Sequence, residues 1–478
     1  MQVEVLSISR RKPFTRLAGE IKIIGEIKMI EALILILAVI VFWFLMRTAT
    51  GPLNLAQGHP YAPFAYLTVI MTVLGLILIT GLDIRINYLE LVTPGAVRAA
   101  VWSVAYALVS FPLGVWVAEV ILRRTRKRVP TQTVPTSAAA TVSSVCLVFI
   151  SVLVVAYVYV NLPVVPFLSI LDSPLEVAQT RILAARGFQG NTYIRNIFAL
   201  TFVPLASCVL YAQYLHYRGT VLRTLFVISA ISSLLALSYD LSKGPVVFYM
   251  LSLLFVRNRF GAFSAEALRR LRNVTLIGGA GLSAMYVFVM GVAWEDLFDL
   301  WNVNSLAFRV LLGQVQPLLL HFEAFPDIIP FQYGRSITGL LWFESGEISA
   351  RLVMEWVNPW GVANGVAGVA NTFYIAEAWA NFGLVGVILT PIMFGVTWHF
   401  LISYVSARKS PVRLGILGFL VVQLAVISQG SMIRLFYNPE LLGSALLLWL
   451  CLTAGRVMTG GTPKISEGGQ SASSVPNR

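Results

Sequence analysis

The stretch AAATVSSVCLVFISVLVVAYVYV, from Ala138 to Val160, contains no charged residue. A helix needs about 20 apolar residues to cross the hydrocarbon core of a bilayer, and this stretch is long enough. Similar stretches recur along a chain that is 57% hydrophobic and only 12% charged, whereas soluble domains are about one-quarter charged. A β-barrel would instead show short alternating segments. The sequence therefore predicts an all-α, polytopic transmembrane helix bundle.

Eleven apolar stretches reach or approach the length of a membrane span, and a twelfth stays open. They lie at 30–46, 61–82, 97–122, 138–160, 197–215, 224–239, 245–256, 274–293, 384–405, 414–429 and 441–457. We expect a basic segment 1–29 in the cytoplasm or on the membrane surface, a transmembrane domain 30–457 and a disordered cytoplasmic tail 458–478. A removable signal peptide is not expected.

The net charge of +13 comes largely from basic clusters in short loops. The four clusters are Arg123–Arg128; Arg218 and Arg223; Arg257, Arg259, Arg269, Arg270 and Arg272; and Arg408, Lys409 and Arg413. If the spans alternate, all four lie on one side, which the positive-inside rule assigns to the cytoplasm. We therefore expect no nucleic-acid partner. The basic residues of 1–29 fall on the opposite side by the same count, so the orientation of the N-terminus stays open.

Two sizeable segments lie on the opposite face, at about 161–196 and about 294–383. In the larger one, LAFRVLLGQVQPLLLHFEAF (Leu306–Phe325) has apolar residues at helical spacing. This pattern predicts an amphipathic helix that lies on the membrane or packs over the bundle. A single enlarged external loop marks the place where chemistry or recognition is expected.

External arginines are few and are candidates for binding phosphate. Arg181 and Arg186 stand in the first external segment, close to glycines, and Arg309 stands in the second. The planar fork of arginine pairs bidentately with phosphate oxygens. The alternative for each is an ordinary surface salt bridge.

Two further cations, Lys243 and Arg434, lie in tight external turns between apolar spans. Ionisable groups so close to the bilayer are costly and usually face a cavity or one another. Their position on the face opposite the basic loops also runs against the usual charge bias. For Lys243 the alternative is a local pair with Asp240.

Candidate proton-transfer and sugar-binding residues stand in the larger external loop and the helix that follows it. The stretch NTFYIAEAWANFGLVGVILTPIMFG (Asn371–Gly395) contains Glu377, Asn381 and several aromatic residues. Tyr374 and Trp379 suit stacking on sugars or an interfacial position. His321 is a candidate general base. The alternatives are a solvated glutamate and an ordinary histidine on a surface helix.

Five segments follow one another in a definite order. They are TRILAARGFQG (Thr180–Gly190), SYDLSKGPVVF (Ser238–Phe248), the long external loop, EAWANFGLVG (Glu377–Gly386) and SMIRLFYN (Ser431–Asn438). In this order they resemble the O-antigen and oligosaccharide-repeat-unit polymerases, the Wzy-type integral membrane proteins, over roughly residues 60–457.

The resemblance implies a GT-C-like glycosyltransferase in the cytoplasmic (inner) membrane. Such a protein polymerises polyprenyl-pyrophosphate-linked repeat units at the outer face, without metal, cofactor or nucleotide sugar. A chain-length regulator protein stays open as a partner. The residues then expected to bind pyrophosphate are Arg181, Arg186, Lys243, Arg434 and Arg309. Glu377 or His321 would take the acceptor proton, and Tyr374, Trp379 and Asn381 would bind sugar.

Three other functions stay open. A flippase for lipid-linked oligosaccharide would place charges inside the spans and would show two comparable halves. A ligase of the O-antigen type would show a histidine close to NFGLVG, whereas His321 lies far upstream. A non-catalytic assembly or sensor protein is the third alternative.

Overall fold

The fold is given by a computed structural model that describes residues 14–82, 89–125, 136–169, 174–260, 265–288, 291–336, 347–364, 368–408 and 410–459. Regular structure in these ranges is entirely helical. The α-helices are α1 Phe14–Thr50, α2 Ala62–Thr68, α3 Leu74–Leu82, α4 Pro94–Thr125, α5 Ser137–Val160, α6 Pro174–Arg186, α7 Val203–Tyr217, α8 Thr220–Leu237, α9 Lys243–Phe260, α10 Ala265–Phe288, α11 Leu306–Leu311, α12 Val315–Ala324, α13 Ser349–Val357, α14 Pro359–Ala363, α15 Ile375–Ser406, α16 Pro411–Ser428 and α17 Pro439–Met458.

Shorter helical pieces complete the chain. Two π-helical segments, Val69–Val73 and Ile194–Phe202, continue directly into α3 and α7. Four 3₁₀ helices lie at Leu89–Leu91, Pro166–Ser169, Glu295–Phe298 and Ile433–Leu435. The predicted all-α class is therefore confirmed for the described ranges.

Nine helical stretches in the described ranges are long and apolar enough to cross a membrane. They are Met29–Thr50, Ala62–Gly81, Pro94–Thr125, Ser137–Val160, Ile194–Tyr217, Thr220–Leu237, Ile375–Ser406, Pro411–Ser428 and Ile433–Met458. A multi-pass membrane protein follows from them. The two remaining predicted spans, 245–256 and 274–293, fall on α9 and α10, whose ends carry charged residues. The count of eleven therefore stays a prediction.

Side chains of the preceding residues cap the starts of several helices. The Thr136 side chain accepts from the Ala139 amide at the start of α5. Ser410 and Asn438 cap α16 and α17 in the same way, and a proline follows each of them at the first helical position. Such caps satisfy backbone N–H groups that have no partner within the helix, and proline costs nothing where no hydrogen bond is lost.

Small residues bring α4 and α15 into backbone contact at the centre of the bundle. A Cβ atom on Gly114 would lie 2.2 Å from the Ile392 carbonyl oxygen, and one on Gly395 would lie 2.3 Å from the Phe111 oxygen. Gly415 of α16 meets the backbone of Val209 in α7 in the same manner. Glycine at these points permits the close approach that helix pairs in membranes favour.

Contacts define two ends of the bundle. At one end, which we call the basic end, Tyr61 and Glu119 both hydrogen-bond to His399, and Gly58 lies against Arg259. At the other end, which we call the loop end, the Glu323 carboxylate accepts from the Thr93 amide and hydroxyl.

The first span ends at the basic end, where the His59 ring contacts the Thr50 carbonyl oxygen. The start of the span in α1 therefore lies at the loop end, which agrees with the alternation of spans that the sequence predicted. Residues 1–13 and 460–478 lie outside the described residues. The predicted N-terminal segment 1–29 is described only from residue 14, where α1 begins, and the predicted tail 458–478 only to residue 459. A surface-lying N-terminal segment and a disordered tail stay predictions.

The larger loop contributes α11 to α14 at the loop end. The single amphipathic helix predicted for Leu306–Phe325 is two helices, because the chain turns at residues 312–314. The second of them, α12, packs against α4 and α15 and buries both Leu319 and His321. Of the two alternatives for this stretch, packing over the bundle is the one observed.

Candidate functional site

A cavity of about 940 Å³ opens at the loop end. Its walls come from the first π-helical segment, from 193–201, and from α9, α12, α13, α15, α16 and the turn before α17. Three of the predicted site residues line it, namely Glu377, His321 and Arg434. These side chains stand far apart in the sequence, so the fold brings them to one place.

Glu377 lies in the first turn of α15 and is held by the turn that follows α16. Its Oε2 atom accepts hydrogen bonds from the Ser431 hydroxyl at 2.9 Å and from the Met432 amide N–H. The side chain is buried yet lines the cavity. A carboxylate fixed by two donors has a defined orientation, which a proton acceptor requires.

Arg434 lies two residues after Met432, in the 3₁₀ helix at the cavity edge. Its Nη2 atom donates to Glu440 Oε1 at 3.1 Å, and its side chain is 55% exposed. A surface ion pair of this kind contributes little to stability. The guanidinium is therefore available to an anionic ligand that enters the cavity.

His321 lines the same cavity from α12. The ring is 1% exposed, and its Nδ1 atom lies 2.7 Å from the Pro317 carbonyl oxygen. Because a carbonyl oxygen only accepts, Nδ1 carries the hydrogen of this bond, and Nε2 of the neutral ring is then a proton acceptor. Burial lowers the pKa of His321 from 6.5 to about 4.

The lowered pKa of His321 predicts a pH-dependent loss of stability. Between pH 6.5 and 4 the unfolded chain binds a proton at His321 and the folded chain does not. The free energy of unfolding is therefore highest above about pH 6.5 and decreases as the pH falls toward 4. A shift of this size corresponds to on the order of 3 kcal/mol. Thermal unfolding between pH 7.5 and 4.5 should show a steeper loss for the wild type than for His321→Gln. Equal slopes would contradict this assignment.

The three predicted sugar-binding residues lie away from the cavity surface. Tyr374 is fully buried in the core against Phe373 and Phe394. Trp379 donates from Nε1 to the Phe325 carbonyl oxygen at 2.9 Å and stacks on Phe322. The Tyr374 ring is thus enclosed by protein, whereas the Trp379 ring is partly exposed outside the cavity lining.

Asn381 instead holds the loop 330–336 against α15. Its Nδ2 atom donates to Ser336 Oγ at 2.7 Å and to the Glu377 carbonyl oxygen at 2.9 Å. Its Oδ1 atom accepts from the Gly334 amide N–H at 3.1 Å. Ser336 lines the cavity and Asn381 does not, and the Asn381 side chain is fully buried. Asn381 therefore positions one wall of the cavity in this structure.

Replacement of Asn381 by alanine should therefore destabilise the protein by about 2 kcal/mol, because buried donors and acceptors lose their partner. Thermal unfolding of the purified protein measures this loss. Asn364→Ala is the matched control, because the Asn364 amide makes only an exposed contact, with the Trp360 carbonyl oxygen. Its removal should change the free energy of unfolding by less than about 0.5 kcal/mol, as at most surface sites. Equal losses in the two variants would contradict the wall-positioning role.

Three of the predicted pyrophosphate-binding cations, Arg181, Arg186 and Arg309, do not line the cavity. Arg181 donates from Nε to the Asp240 carbonyl oxygen at 3.0 Å and so ties α6 to the turn before α9. Arg309 contacts Asn304 Oδ1 and lies 6.0 Å from the ring centre of Tyr286. Arg186 is exposed at the end of α6.

Lys243 is the first residue of α9, and its side chain lies outside the described residues. The adjacent Gly244 lines the cavity. The Asp240 carboxylate accepts from the Ser242 amide at 2.9 Å and from the Ser242 hydroxyl at 2.8 Å. Asp240 therefore stabilises the turn by a local side-chain bond.

Sequence reasoning missed a set of amide and acidic groups in the cavity wall. Gln314 Oε1, Gln429 Nε2 and Glu440 Oε2 are buried and make no hydrogen bond within the described ranges, and all three residues line the cavity. Buried polar atoms are normally paired, so these atoms leave hydrogen-bonding capacity in the cavity wall for water or a polar ligand. A sequence signal for these polar groups did exist, because Gln423 lies within the apolar helix α16 and Gln429 at its end, and both line the cavity. Polar side chains in such positions usually face a cavity.

Comparison of the chain with protein-family models, with curated proteins and with solved structures finds no match in any of the three.

Proposed function

We propose that the protein is a membrane glycosyltransferase that polymerises polyprenyl-pyrophosphate-linked oligosaccharide repeat units at the outer face of the cytoplasmic membrane. The observation that carries the proposal is the meeting of Glu377, His321 and Arg434 in the lining of one cavity at the loop end. Glycosyl transfer from a diphosphate needs a proton acceptor and benefits from a cation at the leaving group. Glu377 or His321 can supply the first, and Arg434 can supply the second.

The proposed reaction transfers a glycan between two lipid carriers. The acceptor hydroxyl oxygen forms a bond to the anomeric carbon of the donor glycan, and the bond from that carbon to the pyrophosphate oxygen breaks. The hydroxyl proton passes to Glu377 or to Nε2 of His321. Polyprenyl pyrophosphate leaves with the bonding electron pair.

Arg434 has a role that fits the charge of the leaving group. Negative charge on the pyrophosphate grows as the glycosidic bond breaks, and a fixed guanidinium stabilises that charge more in the transition state than in the ground state. The exposed position of Arg434 at the cavity edge suits a group that enters from the lipid side.

The amides of the cavity suit a carbohydrate. Sugar hydroxyls both donate and accept, and the free Oε1 of Gln314 and the free Nε2 of Gln429 supply one acceptor and one donor. The cavity volume of about 940 Å³ lies at the upper end of the range for small-molecule sites, which suits an oligosaccharide rather than a single sugar. A GT-C-like architecture and a chain-length regulator as partner belong to the same proposal.

Surface glycan analysis in a strain that depends on this protein tests the proposal. Arg434→Gln should leave single repeat units on the carrier and remove the ladder of longer chains. Arg434→Lys should restore part of the ladder, because lysine keeps the charge and loses the planar fork. Arg98→Gln is the matched control, since Arg98 is an exposed arginine of α4 that bonds to the Pro94 carbonyl oxygen outside the cavity.

The other functions give different gels. Loss of every repeat unit from the cell surface in Arg434→Gln would indicate a flippase. A normal ladder in Arg434→Gln, with the protein present at wild-type level, would indicate a non-catalytic protein. Either result would overturn the proposal.

A further inference from the structure

A second hollow, of about 850 Å³, runs along α17 and is walled on its other side by α15 and α16. We call it the α17 groove. It exists because α17 packs against α5 and the π-helical segment Ile194–Phe202 instead of closing onto α16. Gly443 and Gly455 make that packing close, since Cβ atoms there would meet Ile197 and Ser143.

The wall of the α17 groove is apolar over most of its length. Leu401, Leu420, Leu441, Leu448, Trp449 and Leu452 all face it. The part of α17 between Leu441 and Arg456 is about 22 Å long at 1.5 Å per residue. One leaflet of a bilayer core is about 15 Å thick, so an acyl chain from one leaflet can lie along the groove.

Arginines gather where the α17 groove reaches the basic end. Arg408 follows α15, Arg413 lies in the first turns of α16, and Arg456 lies in the last turn of α17, and all three line the groove. The described residues that line it include no aspartate or glutamate. Arg413 is held in place, because its Nη1 atom donates to the Tyr404 carbonyl oxygen at 2.7 Å.

We propose that the α17 groove binds one anionic phospholipid. The phosphate headgroup lies among Arg408, Arg413 and Arg456, and an acyl chain lies along the apolar wall of α17. Basic pockets between membrane helices at the cytoplasmic side bind lipid headgroups in this manner. Three arginines lie in or just beyond the ends of α15, α16 and α17, and the described lining residues beside them include no aspartate or glutamate. This charge favours an anionic lipid over a second copy of the protein.

The lipid would also hold the helices together. The groove separates Arg456 of α17 from Arg408 and Arg413, which belong to the side formed by α15 and α16. A phosphate bound among them would bridge the two sides of the groove. This site is independent of the proposed transferase activity. The two hollows share only the region around Arg434, which lies at the opposite end of the groove from the proposed headgroup.

Native mass spectrometry of the delipidated, full-length protein tests the proposal. The probes are phosphatidylglycerol and phosphatidylcholine with identical acyl chains, added separately in detergent. We expect one tightly bound phosphatidylglycerol and at least tenfold weaker binding of phosphatidylcholine. The triple variant R408Q/R413Q/R456Q should lose the preference at least tenfold.

The matched control is R124Q/R223Q/R272Q, which removes the same charge from exposed arginines outside the groove. It should keep the preference. Equal loss in both triple variants would mean that net charge alone attracts the lipid and would overturn the site. Displacement of the lipid by inorganic phosphate would also overturn it, because a simple anion site would then suffice.

A second variant keeps the test decisive if the triple variant does not fold. Ala445 faces the groove from α17 and is exposed, so Ala445→Trp fills the chain-binding part without changing any charge. It should weaken phosphatidylglycerol binding at least fivefold. Unchanged binding in Ala445→Trp, or a dimer that closes the groove in place of lipid, would contradict the proposal.

Discussion

Replacement of Glu377 by glutamine should reduce glycan transfer at least about 100-fold while the protein stays folded. General acid–base groups contribute on the order of 10² to 10⁴ in rate, and glutamine keeps the shape of the side chain but cannot accept the proton. Ser431 and Met432 both donate to the same carboxylate oxygen, so the amide oxygen of glutamine in that position can accept both bonds. The measurement is the rate of chain extension, with thermal unfolding recorded on the same samples.

Two controls separate chemistry from structure. Ser431→Ala removes one donor to Glu377 and keeps the carboxylate, so it should cost about tenfold or less in rate, the effect expected when one of several orienting bonds is lost. Glu355→Gln changes a glutamate that pairs with Arg351 outside the cavity and should leave the rate unchanged. A Glu377→Gln protein that extends chains at the wild-type rate would remove Glu377 from the mechanism.

Replacement of Gly395 by alanine should destabilise the bundle by at least about 3 kcal/mol. The added Cβ would lie 2.3 Å from the Phe111 carbonyl oxygen and 2.9 Å from the Val115 amide nitrogen. Both are backbone atoms of α4, which cannot rotate away as a side chain can. Helices α4 and α15 must therefore move apart. Overpacking of a filled core typically costs about 1–3 kcal/mol, and we expect the upper value or more where backbone atoms must move.

Gly81→Ala is the control with the opposite expected sign. A Cβ atom on Gly81 meets nothing within 4 Å, and alanine is favoured over glycine in a helix by about 1 kcal/mol. Thermal unfolding and size-exclusion chromatography of both variants in the same detergent measure the difference. Equal stability of the two alanine variants would show that α4 and α15 do not meet at Gly395.

Helical architecture was readable from the sequence because long apolar runs have one stable form in lipid. Every backbone N–H and C=O group there must be paired within the segment, which a helix achieves alone. Helices α9 and α10 were the difficult case, since charged residues at their ends shorten the apolar part. Local composition does not decide whether such a helix crosses a membrane.

The candidate site was partly readable because isolated charges in apolar surroundings are expensive. Glu377 and Arg434 stood out for this reason, and both line the cavity. Arg181 does not line the cavity and donates to the backbone oxygen of Asp240, a contact between distant segments that no local pattern reveals. Burial of Tyr374 likewise depends on long-range packing, including the bond from its amide to the Ser428 carbonyl oxygen.

Direct assay of purified protein with lipid-linked repeat units tests the central claim, that the cavity at the loop end carries out glycosyl transfer. With no nucleotide sugar added, the wild type should lengthen the glycan by one repeat unit for each polyprenyl pyrophosphate released, and Glu377→Gln should form both products at least about 100-fold more slowly. Lengthening at equal rates by both proteins, or binding of the lipid-linked glycan by the wild type without release of pyrophosphate carrier, would contradict the account.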